Sequence, residues 1–378
     1  MPPQKYVDLL KQEISARALA VGPRLCDTIY FGGGTPSLLE PELIVSVIDE
    51  LANHGFEVRK DAELTIEIDP GTVTEKKLDQ LIAAGFNRFS VGAQSFSDRL
   101  LKLAGRKHSS KDTLSLLLLM NKKNLNYSFD LLFSLPTQSL DDLKVDLEKV
   151  LQFDPSHLSA YCLNVAENHP MNQMRPTDAV QVEMFAEIEL RLALQNILRY
   201  EISNFAKPGF ESKHNLLYWR DHEYWGLGVS AHSYLKSGRW GARFSNPKRI
   251  QPYEKQVSEW TSRLNNNLTG QNFTWDFARD LAGQDFEALE MHQALTDFCH
   301  TSLRLSRGLS QKATQHKFSL AVWQEVETRL SDLKERGLVD HKDDLWALSN
   351  TGKLLANLVF EKLTFNVQEL KNYSHAVG

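Results

Sequence analysis

The segment Thr28 to Gly34, TIYFGGG, constrains this chain more than any other stretch of it. Thr28, Ile29, Tyr30 and Phe31 are β-branched or aromatic, which favours a buried strand, and Gly32, Gly33 and Gly34 then end that strand at once. Glycine lacks a Cβ, so the backbone can turn sharply and come close to a ligand, and main-chain groups can do binding that side chains do elsewhere. Beyond the turn, Pro41 suits the first turn of a helix, and Leu43, Ile44, Val47, Ile48 and Leu51 recur at helical spacing along one face. The unit is strand, glycine turn, helix. It is no Walker loop, because no Gly-Lys-Ser/Thr follows, and it lacks the Gly-x-Gly-x-x-Gly of a dinucleotide-binding turn.

The alternation continues. Strands are predicted over Glu63 to Asp69 (ELTIEID), Phe89 to Ser95, Ser128 to Leu135 and Leu158 to Val165. Helices are predicted over Glu75 to Ala84, where Gly85 follows, Lys111 to Lys122 and Leu140 to Gln152. Strands alternating with helices imply a parallel sheet, and their near-regular spacing suits a full or partial βα barrel better than an open doubly wound sheet. A barrel places its site at the carboxyl ends of its strands. Glu67, Gln94 and Asp130 are expected there, with Arg106 in the AGRKH segment that follows. A carboxylate in that place accepts from an ammonium or a ribose hydroxyl, and an arginine pairs two-pronged with a carboxylate. Each residue alone reads equally well as a loop cap or surface charge; together they favour a ligand site.

Composition narrows the function classes. The 378 residues, 42% hydrophobic and 24% charged, suit one large domain and a smaller one. A net charge of -5 and a pI near 6.2 argue against nucleic acid as a partner. Apolar runs such as Leu116 to Met120 fall far short of the roughly twenty residues that cross a bilayer, and the N-terminus lacks a basic-then-apolar signal, so a cytoplasmic location is expected. Cys26, Cys162 and Cys299 are too scattered for a disulfide framework or a close-spaced metal site and are expected to be small apolar fillers.

The motifs YFGGGTPSLL, EIDPGT, VGAQSF, FDLLFSLP, LSAYCLNV and YEISNFAKPGFESKHNLLYW, in this order, resemble the HemW branch of the radical S-adenosylmethionine (SAM) proteins. That branch is similar to oxygen-independent coproporphyrinogen III oxidase. The resemblance runs from about Tyr6 to the C-terminus. It implies a partial (β/α)6 barrel that holds SAM against a 4Fe-4S cluster. Gly32, Gly33, Gly34 and Thr35 match the family's glycine motif, which contacts the SAM amino group, and Glu67, Gln94, Arg106 and Asp130 match its other SAM contacts. The family binds its cluster through a Cys-x-x-x-Cys-x-x-Cys loop after the first strand, and this sequence has no such loop. Met1 to Leu10 matches the helix after that loop, so the resemblance places the first strand and loop ahead of residue 1. A misplaced start is expected rather than a natural loss, because a barrel without its first strand exposes the edge of the Tyr30 strand, and DTIYFGGG carries little charge or proline to protect it.

His214 and Tyr218 lie in HNLLYW, and His232 follows in GLGVSAHSY. A histidine can ligate haem iron and a tyrosine can stack on or ligate a porphyrin, while a structural histidine beside packed aromatics accounts for the segment as readily. The family is associated with haem binding and transfer, which carries the haem assignment onto His214 and Tyr218. From about Phe273, the elements look like a winged-helix module, with a helix near Leu320 to Arg336 ahead of LVDHKDDLWALSN; its mixed charges favour packing or partner docking over DNA. The expected division is 1–205 partial barrel, 206–272 HNxxYW segment and connector, and 273–378 C-terminal domain. The leading reading is a haem chaperone that passes haem to an acceptor protein. The alternatives are an oxygen-independent coproporphyrinogen III oxidase and a cluster-less scaffold for haem or SAM.

Overall fold

The computed structural model describes residues 1–166, 168–267 and 286–371. The chain forms two compact units, each assembled from segments distant in sequence: Asp27–Pro41 with Asp61–His214, and Met1–Cys26 with Glu42–Lys60 and Asn215–Gly378.

Strands β1 (Arg24–Phe31), β2 (Phe56–Ile68), β3 (Arg88–Gln94), β4 (Tyr127–Phe133), β5 (His157–Cys162), β6 (Leu198–Arg199) and β7 (Asn204–Ala206) form a seven-stranded sheet in the order β1-β2-β3-β4-β5-β7-β6. Adjacent strands from β2 to β5 pair parallel, and β7 pairs antiparallel with both β5 and β6. Helices Glu75–Ala83, Ser110–Lys122 and Leu140–Leu151 supply the crossovers that parallel pairing demands. Ser109 with Asp112 and Ser139 with Asp142 form capping boxes that start two of them. The predicted strands and helices appear within a few residues of their expected ends, except that β2 begins at Phe56. After Phe56, the residues Glu57 to Asp61 are exposed and all but Val58 are charged, so they carry no burial signal although the backbone is extended.

Along these strands side chains alternate between faces. Ile66, Phe89, Val91, Phe129, Leu131 and Leu158 are at most 1% exposed and form the apolar face. The opposite face carries Glu63, Glu67, Ser90, Ser128, Asp130 and His157. Strand pairing thus gathers a polar surface from residues scattered over nearly a hundred positions of sequence.

In the other unit, helix Pro3–Val21 packs on helix Ile250–Asn267 through Leu9, Ala16, Tyr253, Val257 and Trp260. Buried within this unit, Glu13 pairs with Arg17 and accepts hydrogen bonds from the Gly228 amide (2.8 Å) and the Tyr253 hydroxyl (2.6 Å). The Arg17 guanidinium lies 5.1 to 5.3 Å from the ring centroids of Trp225, Phe244 and Trp260. Strands β8 (His232–Leu235), β9 (Ala242–Ser245) and β10 (Glu287–Ala288) form a small sheet, and His232 is exposed at its margin. Helix Met291–Arg304, β11 (Leu309–Ser310), helices Gln311–Phe318 and Leu320–Glu335, then β12 (Val339–Lys342) and β13 (Leu345–Leu348) follow in winged-helix order, with an antiparallel sheet β11-β13-β12. The boundary expected near Phe273 lies outside the described residues.

One expectation is corrected. Only Cys299 is a buried filler; Cys26 is half-buried and Cys162, at the end of β5, is exposed. Among the described residues no helix is long and apolar enough to cross a membrane.

Candidate ligand site at the strand ends

Glycines 32 to 34 follow β1, and the neighbouring strand supplies their anchor. The Glu67 carboxylate accepts from the Gly33 amide through Oε2 (3.1 Å) and from the Tyr30 hydroxyl through Oε1 (2.7 Å). Gly33 has φ of 103°, a left-handed conformation that glycine adopts without strain. A Cβ on Gly32 would overlap the Tyr30 ring and the Glu67 carboxylate, whereas a Cβ on Gly33 or Gly34 would meet nothing within 4 Å. The turn is therefore fixed from one side and open on the other. Burial and the adjacent Glu67 charge push the Tyr30 phenol pKa up, so it remains a donor.

Asp130 lies in the middle of β4 and not at its end as expected, because the strand continues through Leu131, Leu132 and Phe133. Its Oδ2 accepts from Ser90 Oγ at 2.8 Å and its Oδ1 from Ser128 Oγ at 3.3 Å. Ser128 also meets His157 Nδ1 at 2.8 Å, and His157 Nε2 meets the Tyr200 hydroxyl at 2.8 Å. Burial raises the Asp130 pKa to about 6 against the opposing effect of its serine donors. Burial also drives His157 well below the usual histidine range, so this chain is neutral at its His157 end.

Gln94 ends β3 with φ of 64°, a sparsely populated backbone region for a non-glycine residue. The next two residues are held by Asp146, which is 1% exposed and accepts from Ser95 Oγ (2.6 Å) and the Phe96 amide (2.7 Å). Arg106 stands apart from Glu67: its closest carboxylate is Asp69, at 4.0 Å, and Asp69 in turn meets the buried His108 at 3.3 Å.

His214 and Tyr218 both fall in helix Lys213–Trp219. The helix starts on Glu63 of β2, which accepts from the amides of Lys213 and His214, each at 3.0 Å. The His214 ring stacks on Tyr30 and its Nδ1 lies 2.8 Å from Thr28 Oγ1. Burial lowers its pKa to about 4. Tyr30 therefore joins the expected SAM contact Glu67 to the expected haem contact His214. The sequence reading missed Thr28, Tyr30, Glu63, Ser90, Ser128, Asp146 and His157. A signal was present for Glu63, Ser128 and His157: strands of a parallel sheet usually read as continuous apolar runs, and the alternating polar residues of ELTIEI, SFD and HLS depart from that.

Among the described residues no group of three or more His, Cys, Asp or Glu side chains is placed to hold a metal ion. Cys26, Cys162 and Cys299 lie on β1, on β5 and in helix Met291–Arg304. These residues do not fit a cluster held by three thiolates.

In a chain with this parallel sheet and glycine turn, the radical SAM superfamily model matches residues 2–150, and the HemN C-terminal domain matches residues 291–355. A Bacillus subtilis protein named heme chaperone HemW is 31% identical over 368 residues, covering 95% of this chain and 91% of its own. The Haemophilus influenzae protein of the same name is 29% identical over 374 residues, covering 96% and 90%. This chain belongs to the HemW family. The solved structure of coproporphyrinogen III oxidase (HemN) from Escherichia coli superposes with a TM-score of 0.77 at 22% identity, covering 96% of this chain and 83% of that one, and shares the fold.

Proposed function

We propose that this protein binds haem and passes it to an acceptor protein, with SAM held by the glycine turn and the strand-end residues. The haem reading is carried by His214. Iron ligation needs an unprotonated ring nitrogen, and burial keeps this imidazole neutral through the physiological range, while Thr28, Tyr30 and Glu63 fix its orientation. The name heme chaperone, carried by relatives matched over nine-tenths of this chain, points the same way.

The residues present fit SAM as well. Gly33 and Gly34 leave open space beside backbone amides, Glu67 and Asp130 offer carboxylates to an ammonium or ribose hydroxyl, and Gln94 and Arg106 offer donors to a carboxylate. When bound, SAM supplies a sulfonium centre; the chain's own part is to orient it and to exclude water from Asp130.

The test is a haem titration of the protein and of His214→Ala, followed by Soret absorbance and by retention on gel filtration. The unmutated protein is expected to give a defined Soret band, which shifts and weakens in the variant. A variant indistinguishable from the parent would remove His214 as the ligand, and Tyr218→Phe would then be examined in the same way. No binding by the parent would overturn the haem reading.

A further inference from the structure

We propose that Arg175 receives a carboxylate of the bound ligand at the carboxyl ends of β4 and β5, and that this carboxylate is a haem propionate. The second half of that statement rests on the haem reading above.

Arg175 reaches the two strand ends. Its Nε donates to the Ser134 carbonyl at 3.3 Å and its Nη2 to Ser134 Oγ at 3.3 Å, and Ser134 is the residue after β4. The same Nη2 lies 3.2 Å from Gln181 Oε1 and 3.9 Å from Cys162 Sγ, at the last residue of β5, while Nη1 donates to Asn172 Oδ1 at 3.1 Å. Phe133 and Cys162 are register partners, so the guanidinium spans one rung at the end of the parallel sheet. Ligands of α/β barrels bind at that end.

Every one of these acceptors is uncharged. Burial raises the Cys162 pKa, so the sulfur remains a thiol. Several other arginines of the described residues pair with carboxylates: Arg99 with Asp142, Arg191 with Glu187, Arg243 with Glu287 and Asp297. Arg175 is instead held in a fixed orientation by neutral atoms and forms no ion pair among the described residues, the Asp178 carboxylate being engaged by Gln181 Nε2 at 3.5 Å, which leaves one Nη1 hydrogen for a partner from outside. Gln181 is itself tied by its Nε2 to the Pro176 carbonyl at 2.8 Å, so the orientation precedes any ligand. A planar fork of fixed direction, without an ion-pair partner among the described residues and beside the exposed Cys162, is the chemistry that recognises a carboxylate.

Haem carries two propionates and SAM one carboxylate, and the experiment separates them. Dissociation constants are measured for ferric protoporphyrin IX and for its dimethyl ester, which lacks both charges, and SAM is titrated calorimetrically. The parent is expected to prefer the free acid. Arg175→Gln should lose that preference and weaken free-acid binding roughly 10- to 100-fold, the usual range for a hydrogen bond to a charged group. SAM binding should stay within about twofold of the parent. Arg175→Lys, which keeps the charge without the fork, should retain part of the preference and serves where the glutamine variant fails to fold. Equal affinity of the parent for acid and ester would overturn the propionate contact while leaving haem binding intact. A loss confined to SAM would move the contact to the SAM carboxylate and refute the proposal as stated. Absence of haem binding by the parent would refute it together with the haem reading.

Discussion

The imidazole of His214 lies flat against the phenol ring of Tyr30, centroids 4.7 Å apart and planes 13° from parallel. Tyr30 uses its face for the histidine and its hydroxyl for Glu67. These two uses can be separated by substitution. Tyr30→Phe keeps the stack and removes the hydrogen bond, so SAM affinity should fall several-fold while the haem Soret band stays in place. Tyr30→Ala removes both, with the stack alone contributing about 1 kcal/mol. Parallel titrations of the two variants with SAM and haem check this; a Soret change in Tyr30→Phe as large as that in Tyr30→Ala would contradict it.

The glycines of the turn should differ in kind. Gly34→Ala places its methyl in open space, so the melting temperature should hold while SAM affinity drops tenfold or more, because the methyl would occupy ligand volume. Gly32→Ala meets Tyr30 and Glu67 and should lower the melting temperature with no ligand present. Thermal melts with and without SAM distinguish them, and a Gly34→Ala protein that binds SAM normally would put the ligand elsewhere.

Asp130 sets a pH dependence. Its folded pKa, about 6, lies above the roughly 3.9 of an unfolded aspartate, so the native state binds this proton more tightly. The resulting stability is fully present below the unfolded value and is lost as pH rises through 6, by at most about 3 kcal/mol. Asp130→Asn should therefore show a smaller loss of unfolding free energy between pH 4 and pH 7 than the parent. Urea unfolding at both pH values measures the difference, and superimposable pH profiles would rule the shift out.

Arg17 predicts a large stability effect. Arg17→Leu leaves the Glu13 carboxylate buried without its cation and should cost about 3 to 5 kcal/mol. Replacing Glu13 by leucine in the same protein should restore part of that, since the Gly228 amide, the Tyr253 hydroxyl and the Asn246 side-chain amide each then lose an acceptor. Denaturant midpoints of the single and double variants provide the comparison; a double variant less stable than Arg17→Leu would show that the pair is not coupled in this way.

The strand and helix rhythm was legible because TIYF, FSVGAQS and SFDLLFSL carry burial, glycine stops and turn residues in the same places. The start of β2 was not, since an exposed charged ladder strand looks like a loop when only composition is read. Glu67 and Asp130 stood out because charge inside an apolar run is costly without a purpose. Tyr30 and Thr28 did not, because β-branched and aromatic residues are what any strand contains, and their second task appears only when His214, nearly 190 residues later, folds against them. Arg175 and its neutral acceptors were likewise invisible: which atoms hold a guanidinium is a property of the surroundings and has no sequence pattern.

Glu63 and Glu67 stand four residues apart on β2 and point to the same face; one holds the start of the helix that bears His214, the other holds the glycine turn. Four residues of extended chain measure roughly 13 Å. The distance between the two anchor points is therefore a covalent length, insensitive to how side chains repack around it. Strand β2 acts as a ruler, and a one-residue insertion or deletion between the two glutamates would turn one of them to the opposite face, detaching either the histidine or the turn.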